Sequence, residues 1–124
     1  MSLKFITPNM HGVLDYIVGV TLIAAPSILG LGASSMMAVW LSVLTGVAVI
    51  VMSLITDYRF SIARIIPFWL HLSVDGVAAV VFILAPFVLG FSGLDMAYYL
   101  VNGVAVLAVV GLGLTVQPDA GSPS

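Results

Sequence analysis

Apolar residues along this chain fall into four long runs separated by short polar breaks. The runs cover roughly residues 9–29, 35–56, 67–89 and 95–116. A helix needs about 20 apolar residues to cross a hydrocarbon layer of about 30 Å, and each run meets that length. The breaks read "GLGASS" (30–35), "DYRFSIAR" (57–64) and "GFSGLD" (90–95). Glycine, serine and aspartate at such points favour turns and helix caps. The pattern predicts one all-α transmembrane domain over residues 1–116. The polar tail "QPDAGSPS" (117–124) is expected to be disordered.

The four runs are two copies of a pair. Sliding the chain by sixty positions sets residues 1–57 against 61–117 without a gap and gives thirteen identities. They include His11/His71, Asp15/Asp75, Ala25/Ala85, Pro26/Pro86, Leu29/Leu89, Gly30/Gly90 and Met36/Met96, and Lys4 meets Arg64. The shared core is H-x3-D-x9-AP-x2-LG. Apolar helices align loosely by composition alone, but matching polar residues, a proline and a glycine in register do not arise that way. Repeat 1 spans about 4–57 and repeat 2 about 64–116. Each holds an even number of spans, so both enter the membrane from the same side. The expected architecture is a four-helix bundle of two tandem helical hairpins, a parallel internal repeat, with the two histidines at one depth and the two aspartates at another.

Composition fixes the environment. The chain of 124 residues is 62% hydrophobic and 6% charged, with mean hydropathy +1.29. A soluble domain is about 25% charged, and one of this size leaves much of its surface in water. The lipid bilayer is therefore the first expected partner. Net charge is −2 with no basic patch, which excludes nucleic acid as a partner. No cysteine is present, which excludes disulfides, thiolate metal sites and cysteine nucleophiles. The first thirty residues do not read as a signal peptide: His11 and Asp15 interrupt the run, Pro26 follows the small residues, and the pattern recurs internally. The three basic residues, Lys4, Arg59 and Arg64, all fall on one side of the predicted topology, so both termini are expected in the cytoplasm.

Two segments, "HGVLDYIVGVTLIAAPSILGL" and "TDYRFSIARIIPFWLHLSVDGVAAVVFILAPFVLGF", resemble the SPW-repeat membrane proteins of bacteria over nearly all of residues 5–115. That family pairs transmembrane helices and carries a Ser-Pro-Trp triplet near the outer end of an apolar helix. The triplet here reads Ala25-Pro26-Ser27 and Ala85-Pro86-Phe87, with the prolines kept and the tryptophans gone. The resemblance implies the paired-helix architecture and a bacterial inner membrane; it implies no activity.

The polar residues inside the spans carry the functional question. His11 and Asp15, like His71 and Asp75, stand at i and i+4 and share a helix face. Continuing that face leads through Gly19 or Val18 and Leu22 to Pro26, and through Ala78 or Ala79 and Phe82 to Pro86. An aspartate in a membrane is costly toward lipid, about 2.5–3.5 kcal/mol at mid-depth, so both faces are expected to point inward. The leading reading is structural: Asp15 accepts from His11, a neighbouring helix, Ser53 or Tyr16, and packs helices 1 and 3. The first alternative makes His11, Asp15, His71 and Asp75 a site for protons or a small polar ligand. The second alternative is a divalent metal on the two pairs, or haem between His11 and His71. No dedicated metal-ligand motif is present, so no cofactor is expected on the leading reading.

Pro26 and Pro86 each free a carbonyl one turn earlier. With Gly30 and Gly90 following, they predict a kinked or early-ending helix, and no polar side chain is expected near those carbonyls. Asp57, Tyr58, Arg59 and Arg64 predict a salt-bridged cytoplasmic loop. Trp40, Trp69, Tyr98 and Tyr99 fit an aromatic belt near span ends. Asn102, the repeat partner of Ser42, reads as packing glue, and Gly103, Gly111 and Gly113 as points of close helix contact. No nucleophile–base pair or phosphate loop is present, so the expectation is a non-enzymatic membrane protein, self-associating or an accessory subunit of a larger complex.

Overall fold

The structure, a computed structural model, describes residues 8–56 and 61–114. It holds four α-helices: α1 (Pro8–Leu29), α2 (Met37–Ile55), α3 (Phe68–Leu89) and α4 (Gly93–Leu114). All four are long and apolar enough to cross a membrane. Pro8 opens α1, a position where its missing N–H costs nothing. α2 begins two residues later than the apolar run because the Ser35 hydroxyl accepts from the Met37 N–H at 3.2 Å just ahead of the first turn. α4 begins two residues earlier than expected and takes Asp95 into its first turn, where the helix dipole favours a carboxylate. Residues 57–60 and 115–124 lie outside the described residues, so the expected loop of Asp57, Tyr58 and Arg59 and the expected tail do too.

α1 packs along α2 and α3 along α4, and these two hairpins meet through the sparser α2/α3 and α1/α4 pairs. α1 and α3 therefore face each other across the diagonal of the bundle. Glycine makes the hairpins close. A Cβ on Gly46 would lie 2.7 Å from the Gly19 carbonyl oxygen, and one on Gly103 would lie 3.0 Å from that of Ala79. These crossings tolerate no side chain on α2 and α4 respectively. Gly111, read from the sequence as another such contact, has open space around it, and the surroundings of Gly113 lie outside the described residues.

The Pro-x2-Leu-Gly element is a helix stop. Gly30 and Gly90 adopt φ of +71° and +75°, the left-handed conformation that glycine enters freely. The next residues, Leu31 and Phe91, return their N–H groups to the Pro26 and Pro86 carbonyls at 2.9 Å each and bury their side chains. The helices run on through both prolines and end three residues later. The carbonyl that Pro26 frees, Leu22 O, accepts from the Ser42 hydroxyl of α2 at 2.8 Å. A polar side chain does serve that carbonyl, contrary to the expectation from sequence; nothing in the apolar run 35–56 marked Ser42 as the residue that the hairpin brings back to it.

The outside is apolar. Ile17, Leu44, Val77 and Val101 are each more than half exposed, an arrangement suited to acyl chains and not to water. Trp40 and Trp69 are exposed near the starts of α2 and α3, as belt residues are. Tyr98 and Tyr99 are not: they are buried, and they form the core near the glycine stops with Leu22, Phe82 and Phe91. Tyr99 packs 4.5 Å from the Phe82 ring and donates to the Ala38 carbonyl at 2.6 Å. Tyr98 shares a 2.6 Å hydrogen bond with Ser42, so each tyrosine hydroxyl finds a partner inside the bundle.

Candidate functional site

The face predicted for α1 is the face it buries. His11, Asp15, Gly19, Leu22 and Pro26 are all buried, and so are His71, Asp75, Ala79, Phe82 and Pro86 on α3. Because the two helices stand across the bundle diagonal at one register, the two His–Asp pairs meet at its centre. Each histidine bonds the aspartate of the other repeat. His11 Nε2 lies 2.9 Å from Asp75 Oδ2, and His71 Nε2 bonds Asp15 Oδ2. The pairings within each helix are longer, 3.3 Å for His11–Asp15 and 3.2 Å for His71–Asp75. The four atoms form a ring in which two nitrogens alternate with two oxygens. The residues are 1%, 5%, 0% and 4% exposed in chain order. Carboxylates so buried are tolerable only with their charge met on the spot.

The ring is symmetric; its surroundings are not. Phe68 sets an edge-to-face contact with the His11 ring, 5.5 Å between centroids, and stacks on the His71 ring at 6.5 Å. His71 Nδ1 lies 2.6 Å from the Thr56 hydroxyl, which is itself 2.5 Å from the Met52 carbonyl. A hydroxyl has one proton to give and a carbonyl has none. Thr56 therefore donates to Met52 and accepts from the Nδ1–H of His71. His11 Nδ1 is buried without a partner among the described residues. The repeat position equivalent to Thr56 is Val116, which has no hydroxyl. Ser53, one partner considered for Asp15 from the sequence, is buried without a hydrogen-bond partner among the described residues.

Space adjoins the ring. A cavity of about 90 Å³ runs between α1 and α4, lined by His11, Asp15, Val18, Asn102 and Val106. A smaller void of about 20 Å³ lies at the bundle axis against Asp15, Asp75, Thr45 and Asn102, room for about one water. Asn102, expected to glue helices together, donates instead to the Tyr98 carbonyl of its own helix at 2.8 Å.

A second polar junction lies at the opposite end of the bundle, and sequence reading missed it. Asp95 is 2% exposed. Its carboxylate accepts from the Gly32 N–H at 2.8 Å, the Ser34 N–H at 3.0 Å and the Ser34 hydroxyl at 2.5 Å. The Ser92 N–H donates to the same serine at 3.1 Å. The α1–α2 loop is thereby tied to the start of α4. The only signal was an aspartate in a turn segment, which also suits a plain helix start. Arg64 is exposed in the α2–α3 connection, on the ring's side of the bundle. That connection folds back so that Ile62 and Ala63 donate to the Leu54 carbonyl, and Ile65 and Ile66 to that of Ile55, closing the end of α2.

The fold and the site together define a multi-pass membrane protein: two like helical hairpins joined face to face around buried His–Asp pairs. The chain belongs to the SPW repeat family, whose domain model matches residues 9–116. Searches of curated proteins and of solved structures returned no match.

Proposed function

We propose that this chain is a non-enzymatic structural or accessory subunit of a bacterial inner membrane, in which the His–Asp ring clamps its two hairpins into one body. The crosswise exchange carries this reading: each histidine bonds the aspartate of the other repeat, so the ring joins α1 to α3 where the hairpins otherwise meet sparsely. Thr56, His71 and Asp15 do stand in the order of a nucleophile, a base and its orienting acid. Thr56 is fully buried and its proton is held by Met52, which leaves it no access to a substrate. The basic residues Lys4, Arg59 and Arg64 belong to the segments at the ring's end, which supports cytoplasmic termini and a ring nearer the inner leaflet. The outward apolar faces are the surfaces offered to lipid, to a second copy or to a larger membrane complex.

The reading is tested with the full chain in its own membrane. A photoactivatable residue at Val77 or Val101, both outward, is expected to cross-link to a discrete membrane protein or a second copy. Adducts with lipid alone, at every outward position tried, would remove the subunit role. The cavity beside His11, Asp15 and Asn102 favours a second reading, a carrier of protons or a small polar ligand. Vesicles containing the purified chain and a pH-sensitive dye separate the two. The clamp reading expects an imposed proton gradient to persist, and dissipation that Asp15→Asn abolishes would replace it with the carrier.

A further inference from the structure

We infer that the His11–Asp15–His71–Asp75 ring is a binding site for one divalent transition-metal cation of the zinc class. The inference rests on the clamp reading and adds the ion to it. Four potential ligand atoms, one from each residue, lie within 4.8 Å of one another at the centre of the bundle. Zinc binds imidazole nitrogen and carboxylate oxygen at about 2.0–2.2 Å, so neighbouring ligand atoms stand about 2.9 Å apart in a square arrangement and about 3.3 Å in a tetrahedron. Three edges of the ring measure 2.9, 3.2 and 3.3 Å. The fourth, between His71 and Asp15, is tighter and opens on binding.

Charge and proton placement point the same way. Two carboxylates in a membrane interior need two positive charges beside them, and one divalent ion supplies both. Thr56 holds the Nδ1–H of His71. Nε2 is then the nitrogen turned to the carboxylates: it donates its proton to Asp15 in the hydrogen-bonded ring, and on losing that proton it offers a lone pair at the position a cation needs. A hydrogen-bonded outer nitrogen is also what fixes a metal-bound imidazole. Two nitrogens and two oxygens suit zinc-class ions, while calcium and magnesium ask for six or more oxygens. The cavity between α1 and α4 brings open space up to His11 and Asp15. The ring is too compact to admit a haem macrocycle between the histidines.

The test uses the full chain in lipid nanodiscs, stripped with chelator and titrated with Zn²⁺ alone. Saturable binding of one equivalent per chain is expected, with no competition from Mg²⁺ or Ca²⁺. Asp15→Asn and Asp75→Asn should weaken it at least about tenfold, the lower bound for losing even an outer partner. Thr21→Val, on the exposed face of α1 away from the ring, should bind as wild type. If the ring variants do not fold, X-ray absorption at the zinc edge of the wild-type complex decides, and imidazole nitrogen is expected in the inner shell. No saturable single site in the wild type, ring variants that bind unchanged, or a shell without imidazole would each overturn the inference. The clamp is judged separately: metal-free Asp75→Asn should unfold more easily than metal-free wild type whether or not zinc binds.

Discussion

The two ends of this bundle join the same pair of hairpins in different ways. At one end the junction is a ring of His11, Asp15, His71 and Asp75, in which every contact has a counterpart in the other repeat. At the other end Asp95 grips the Gly32–Ser34 loop, and its repeat partner, Ser35, makes no matching grip. Position relative to the pseudo-twofold axis explains the contrast. A helix near the axis faces its own copy, so a contact between one of its residues and a second residue of the copy is made twice, as in a symmetric dimer. A residue away from the axis meets a non-equivalent position. There the copies diverge, one supplying an acceptor and the other the donors. Thr56, which bonds His71, likewise has an apolar repeat equivalent in the sequence, Val116.

Breaking the ring should have the largest effect. Asp15→Ala or His71→Ala strands a charged or polar partner in a site with under a tenth of its surface exposed, at a cost of about 3–5 kcal/mol. Unfolding in mixed micelles followed by circular dichroism measures this. Replacing Asp15, Asp75, His11 and His71 together by apolar residues of similar volume should cost much less, and a cost equal to that of the single variants would show that the ring does more than neutralise itself.

Asp95→Ala comes next. It removes one carboxylate and three hydrogen bonds to it, and about 2–3 kcal/mol should be lost in the same assay. Amide exchange of Gly32 and Ser34 should quicken in this variant while exchange around His71 stays slow. Quickening at both ends would mean that the two junctions act as one.

The glycine crossings refine the comparison within each hairpin. Gly46→Ala drives a methyl toward the Gly19 backbone at 2.7 Å and should destabilise by about 1–3 kcal/mol. Gly111→Ala meets nothing within 4 Å and should stabilise its helix by up to about 1 kcal/mol. Equal effects at the two sites would remove the close-packing account.

The smallest change probes the asymmetry behind the ring. Thr56→Val makes the His71 environment like that expected for His11, and should cost about 1 kcal/mol. If its full effect appears only when Asp15 and Asp75 are intact, as a double-mutant cycle reports, Thr56 acts through the ring.

Much of this protein was legible in its residues because the signals were periodic or duplicated. Four apolar runs of membrane length, the sixty-residue register, and the i, i+4 spacing that puts His11 and Asp15 on one inward face all follow from one-dimensional patterns whose cost in lipid is steep. The Pro-x2-Leu-Gly stop could be placed from sequence, since only glycine accepts the left-handed turn at Gly30 and Gly90. Partner choice needed the fold. His11 and Asp15 are compatible with bonding each other, and only the diagonal placement of α1 and α3 makes them bond across repeats instead. Tyr98 and Tyr99 read as belt residues because a tyrosine near a helix end suits the interface. The Ser42 hydroxyl and the Ala38 carbonyl, brought opposite them by α2, make burial the better place. Asp95 looked like a cap until the far hairpin's loop arrived to donate to it. Spacing along a chain sets which side chains share a face, whereas a hydrogen bond between elements depends on which faces the packing of backbones brings together, and no local pattern encodes that.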